Sequence, residues 1–119
     1  MTPFGERVRA LRKERGVTLK QMAADLQLSP AYLSALEHGH RGRPTWSLVQ
    51  QVVEYFNIIW DDAEELHRLA GLSHPRVVID TSGLSPKATE LANRLAKQIR
   101  GMPEAKIDSL LDAIPSVEE

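Results

Sequence analysis

Between Thr18 and Gly39 the chain reads TLKQMAADLQLSPAYLSALEHG, a stretch that leaves little freedom in what the rest can build. Leu19, Met22, Ala23 and Leu26 recur at i, i+3, i+4 and i+7, so they line one face of a short helix. Thr18 stands at the N-cap, and Gln21 three residues on completes a capping box. Ser29 is a second N-cap, followed by Pro30 at a first helical position, where the missing N–H costs nothing. Leu33 and Leu36 carry the buried stripe of this second helix, and Gly39 closes it. Only Gln27 and Leu28 remain to join the two. So short a connection forces a steep crossing, and Ala23 is the small residue placed at it.

Two helices joined in this way make the helix-turn-helix unit, whose second helix projects into the DNA major groove. The stretch resembles the lambda-repressor/Cro-type (xenobiotic-response-element) helix-turn-helix family of bacterial and phage transcription regulators. The residues that carry the resemblance are Met22-Ala23, Leu26, Leu28-Ser29, Leu33, Leu36-Glu37 and Gly39, and it extends from Phe4 to Leu72. It implies an all-α fold with a five-helix repressor-type DNA-binding domain. It also implies that Arg12 pairs with Glu37 in a largely buried ion pair that holds the first and third helices in register. Two positions depart from the family pattern. Leu19 stands where a glutamine often contacts phosphate, although the backbone N–H groups of that helix start can still do so. Gln27 stands where the turn often has glycine, and it must adopt a conformation that glycine takes freely.

A net charge of −1 looks wrong for a polyanion binder until the chain is divided. Residues 1–45 hold eight Lys/Arg against four acids, a net of +4, whereas residues 46–119 hold seven against twelve, a net of −5. The basic half coincides with the two short helices, as phosphate binding on one face requires.

The remaining elements follow in order. Phe4, Val8 and Leu11 predict a first helix over residues 3–15, ended by Gly16. After Gly39 comes a basic loop, His40-Arg41-Gly42-Arg43-Pro44. Thr45 caps a fourth helix with the stripe Trp46, Val49, Val53 and Phe56, and Asn57 ends it. Asp61 is expected to cap a fifth, with Ala63, Leu66 and Ala70 facing inward. Trp46 and Trp60 read as core or core-edge residues. Residues 73–85 read as a linker in which Val77-Val78-Ile79 could be a strand or an extended strap. Residues 86–119 read as a helical segment: Ser85 caps, Pro86 starts, and Ala88, Leu91, Leu95, Ile99 and Met102 form a stripe. Ile107, Leu110, Leu111 and Ile114 mark a shorter last helix, and PSVEE is expected to be disordered. These two helices hold too few apolar residues for a core of their own, so the segment is expected to dimerise.

On the family's docking, Pro30, Ala31, Tyr32, Ser34 and Ala35 face the bases. This head holds no Arg, Asn or Gln for bidentate pairing. Ala31 and Ala35 suit thymine methyl groups, and Tyr32 and Ser34 each offer a hydroxyl. Thr18, Lys20, Gln21 and Ser29 flank the head; Arg41 and Arg43 are placed to hold a phosphate or enter the minor groove, His38 and His40 to hydrogen-bond phosphate or stand exposed, and any strong guanine contact would come from Arg41, Arg43 or Lys20. Much of the affinity should then come from phosphates, and much of the selectivity from DNA shape.

The expected function is sequence-specific DNA binding by a transcriptional regulator, a repressor acting on a two-fold operator of double-stranded DNA as a homodimer. Two alternatives share the domain: an antitoxin whose C-terminal segment binds a toxin, or a protein-interaction module without DNA binding. No nucleophile–base pair, phosphate-cradling loop or metal cluster suggests an enzyme, and no cofactor is expected. Cysteine is absent, which excludes disulfides and thiolate metal sites. No signal peptide or membrane-spanning run is read, so a cytoplasmic location is expected.

Overall fold

The computed structural model describes residues 1–116. All its regular elements are helical: α1 (Pro3–Arg15), α2 (Leu19–Asp25), α3 (Pro30–Glu37), α4 (Trp46–Tyr55), α5 (Trp60–Gly71), α6 (Pro86–Gln98) and α7 (Glu104–Ala113), with a 3-10 turn at Ile99–Gly101 between the last two. The chain divides into two compact units, Met1–Val77 and Val78–Glu119.

In the first unit, α2 packs on α3, α1 on α3 and α5, and α4 on α5. Phe4, Val8, Met22, Ala23, Leu33, Leu36, Val49, Val52, Phe56 and Leu66 are sealed between them. The helix ends explain why so short a chain can turn so often. Thr2, Thr18, Ser29 and Thr45 each accept a hydrogen bond from the backbone N–H three residues on. Four helices then end in one way, with paired backbone bonds closing over a left-handed residue. Those residues are Gly16 (φ +66°), Gln27 (φ +60°), Gly39 (φ +82°) and Asn57 (φ +54°). At the α2–α3 turn, the Leu28 N–H donates to Ala23 O at 2.8 Å and the Gln27 N–H to Ala24 O at 3.1 Å.

Gln27 therefore takes the left-handed conformation at a cost that glycine avoids, roughly 1 kcal/mol. Gln27→Gly is expected to raise stability by about 0.5 kcal/mol after the extra backbone entropy of glycine is subtracted. A melting temperature a few degrees higher would show it; an unchanged or lower one would mean that Gln27 makes compensating contacts.

Three expectations need correcting. The tryptophans are not core: Trp46 is 69% exposed and Trp60 82%. Leu48 and Val52 fill the space under α4 instead, while Trp46, in the first turn of the helix, stacks against the His67 ring at 5.2 Å. Asp61 does not cap α5: the cap position lies two residues earlier, at Ile59, which makes no side-chain cap bond, and the helix opens at Trp60. Gln21 does not complete a capping box; its amide Nε2 donates to Asp25 Oδ1 at 3.1 Å, one turn along α2. Val77-Val78-Ile79, which the sequence leaves open between a strand and an extended strap, has no regular structure in the single chain, and all three side chains are exposed.

The second unit is sparer. Ser85 caps α6. The apolar stripe does not run unbroken to Met102, because α6 ends at Gln98 and tightens into the 3-10 turn. No residue of α6 or α7 is buried. Leu95, Met102, Ile107 and Leu110 are half-buried, while Leu91, Ile99, Leu111 and Ile114 stand more than half exposed. Of the five residues expected to be disordered, 117–119 lie outside the described residues.

Candidate nucleic-acid interface

The site rests on one buried ion pair. The Arg12 guanidinium grips both carboxylate oxygens of Glu37, its Nη2 donating to Oε1 at 3.1 Å and its Nη1 to Oε2. Arg12 is 6% exposed and Glu37 1%. The fork-to-carboxylate geometry fixes both distance and rotation between α1 and the C-terminal end of α3. The N-terminus of α1 adds a second clasp. Thr2 donates its backbone N–H to Glu37 O at 3.0 Å and its hydroxyl to the same oxygen at 3.1 Å. Gly5 then lies so close to this carbonyl that a Cβ would stand 2.1 Å from the oxygen. Finally, Ser73 is buried and tethers the end of α5, accepting from the Phe4 N–H at 2.9 Å and donating to Leu69 O at 2.6 Å.

Held this way, α3 keeps Leu33, Leu36 and Glu37 inside and turns its other side outward. Pro30 and Ala31 are exposed, Tyr32, Ser34 and Ala35 are half-buried, and His38 is exposed. At 100° per residue, Ala31, Ala35 and His38 lie close together on the outermost stripe, with Tyr32 and Ser34 on its two flanks.

Several candidate residues are brought into contact. The Ser29 hydroxyl accepts from the Tyr32 N–H at 3.0 Å, and the Thr18 hydroxyl accepts from the Gln21 N–H at 3.0 Å. Both side chains are thus engaged in capping. The Arg41 guanidinium lies 5.6 Å from the centre of the Tyr32 ring, a cation–π contact that ties the basic loop to the flank of α3. His38 Nδ1 lies 2.9 Å from Ser34 O, and its ring centre is 6.2 Å from that of His40. Lys20 on α2, and Arg43 beyond the left-handed Gly42, are exposed and stand outside these pairings.

Gln21 is tied in turn to Asp25 and Tyr55, neither of which stood among the candidates. The Tyr55 hydroxyl donates to Asp25 Oδ2 at 2.6 Å, while Gln21 holds the other oxygen. Partial burial and this bond to a carboxylate push the Tyr55 hydroxyl up to about 12, so it remains a donor at any working pH. The Gln21–Asp25 spacing of four was a readable signal. The partner on α4, thirty residues away, was not.

Among the described residues no group of three or more His, Asp or Glu side chains is placed to hold a metal ion. No helix is long and apolar enough to cross a membrane. The surface is therefore a shallow apolar stripe, bounded by a helix start on one side and by a loop carrying His40, Arg41 and Arg43 on the other. That arrangement suits a groove lined with phosphates.

Comparison with known proteins agrees with this geometry. Residues 3–66 match the family described as helix-turn-helix domain. The chain is 38% identical over 61 residues to the HTH-type transcriptional repressor RghR of Bacillus subtilis (strain 168), covering 51% of this chain and 45% of that protein. It is 42% identical over 60 residues to the HTH-type transcriptional regulator DdrOP3 of Deinococcus deserti, covering 50% of this chain and 46% of that protein. It is 31% identical over 62 residues to an uncharacterised HTH-type transcriptional regulator, RghRB, of Bacillus subtilis, covering 52% of this chain and 45% of that protein. The chain thus spans about half the length of these curated relatives. No solved structure matches it.

Proposed function

This chain belongs to the helix-turn-helix domain family, of the Cro type, and on that premise we propose that it is a sequence-specific transcriptional regulator, a repressor that binds a two-fold operator as a homodimer. The family is one of non-catalytic DNA-binding proteins, and the chain is not an enzyme. The observation that carries the reading is the outward stripe of α3, set rigidly by the Arg12–Glu37 pair and edged by the basic loop. The repressor name of one relative supports the sign of regulation. In this reading residues 1–72 bind DNA, residues 73–85 link, and the helices from Pro86 onward join two copies. The protein works in the cytoplasm, where its DNA lies.

Selection from a pool of random duplexes by the full chain tests the proposal. It should enrich an inverted repeat with half-site centres about 10 base pairs apart, one helical turn. A pool that stays random after repeated rounds would leave only non-specific binding, or none, and would sink the proposal.

The basic loop has its own expected outcome. Arg41→Ala and Arg43→Ala should each weaken binding to all sequences alike. Each should also flatten the dependence of log affinity on log salt by about one unit per lost phosphate contact. A changed base preference at constant salt slope would mean that these arginines read bases instead.

A further inference from the structure

The hydrogen bond between His38 and the backbone restricts what that side chain can offer to DNA. The partner of Nδ1 is the carbonyl oxygen of Ser34, at 2.9 Å, and a carbonyl oxygen only accepts. Nδ1 therefore carries a proton in either charge state, which leaves Nε2 as the outward atom. In neutral imidazole Nε2 is then a bare acceptor, and it becomes a donor only in the imidazolium. A phosphate oxygen is also an acceptor. Neutral His38 consequently has nothing to give a phosphate, while the protonated ring has an N–H and a charge.

His38 is the C-cap of α3. It is exposed, and among the described residues no partner occupies Nε2. It leads directly into the loop carrying Arg41 and Arg43.

We propose that His38 contacts a DNA phosphate as the imidazolium, so that DNA binding takes up a proton at this residue. The inference rests on the DNA-binding reading above and adds to it a coupling between affinity and pH. The sign follows from linkage. A bound phosphate raises the affinity of His38 for its proton, so the free chain binds fewer protons than the complex, and affinity grows as pH falls.

Other groups nearby must be separated from this effect. His40, a second imidazole, lies at a ring distance of 6.2 Å. The start of α1 and the segment after α5 reach the neighbouring Gly39 through Thr2 and Pro75. The charged or titratable groups beside those contacts are the Met1 amino group, Glu6, His74 and Arg76. Of these, His74 accepts the Arg76 backbone N–H on its own Nδ1.

The experiment uses the full chain and a duplex carrying the sequence enriched by selection, at constant ionic strength between pH 8 and pH 5.5. Calorimetry in two buffers of different ionisation enthalpy counts the protons taken up. The unaltered chain should bind several-fold tighter at pH 6 than at pH 8 and should take up protons near neutrality. His38→Gln keeps a donor but cannot titrate, so its affinity should lose that pH dependence and its proton uptake should fall. His40→Gln should retain both. Circular dichroism confirms that each exposed-site variant is folded. Equal uptake by His38→Gln and the unaltered chain would overturn the inference while leaving DNA binding intact. So would an affinity that is flat or falls on acidification. If selection enriches no site and the chain binds no duplex at any pH, the function proposed above fails, and this inference fails with it.

Discussion

Arg12→Met alone should lower the unfolding free energy of the first unit by about 3 kcal/mol, and Glu37→Leu alone by about the same. Each change leaves one charge buried without its partner: Glu37 is 1% exposed and Arg12 6%, so water cannot take over the role. The cost differs from the worth of the pair. Two charges removed from water at folding give back much of their mutual attraction as desolvation. Arg12→Met combined with Glu37→Leu should therefore recover most of the loss, because apolar side chains of similar volume suit a site walled by the same core. Denaturant melts of the two singles and the double measure this coupling directly. Additive losses would show that the pair does not act as a unit. The double variant has a further use. If it is stable but selects DNA less sharply, the pair serves to set the angle of α3 rather than to hold the domain together.

Legibility from sequence followed the range of the interaction. Thr18, Ser29, Thr45 and Ser85 were readable as caps because a cap is decided within four residues, and each accepts its backbone N–H three positions on. Asn57 was readable as left-handed because it ends a helical stripe and tolerates that conformation, whereas Gln27 was readable only through the resemblance, which places glycine at that turn. Trp60 was not. Its own backbone is left-handed, at φ +54°, and it opens α5 where Asp61 looked the better cap. Hydrophobicity placed Trp46 inward, but a residue in the first turn of a helix can overhang the core, and it stacks on His67 instead. The Arg12–Glu37 pair could be anticipated only through the resemblance, since nothing local joins residues twenty-five apart. The Tyr55–Asp25–Gln21 chain lay beyond both routes. It depends on where the end of α4 meets α2, a tertiary fact with no periodic signal.

A chain ending at Val77 should fold, remain monomeric at micromolar concentration, and bind the selected operator at least a hundredfold more weakly than the full chain. Folding follows from the core, because among the described residues every sealed apolar side chain lies in α1 through α5 or, for Phe56, at the C-cap of α4. The cut belongs after Val77 rather than at Leu72, since Ser73 is buried and tethers the start of α1. The loss of dimer is argued from what α6 and α7 leave unused. Leu91, Ile99, Leu111 and Ile114 are each at least half exposed, and neither helix has a buried residue. A helical pair of this size cannot hold itself together by so little burial, so a second copy is the simplest cover for the stripe. The loss of affinity then follows from arithmetic. Two linked half-sites act at an effective concentration near millimolar, whereas separate domains must each find the operator from micromolar solution, a difference of roughly 10²–10⁴. Light scattering and titration of the selected duplex with both chains measure the two effects. Should the shortened chain stay dimeric and bind as before, the interface lies in the first unit. The exposed stripe of α6 and α7 would then be free for another protein, the arrangement that an antitoxin requires.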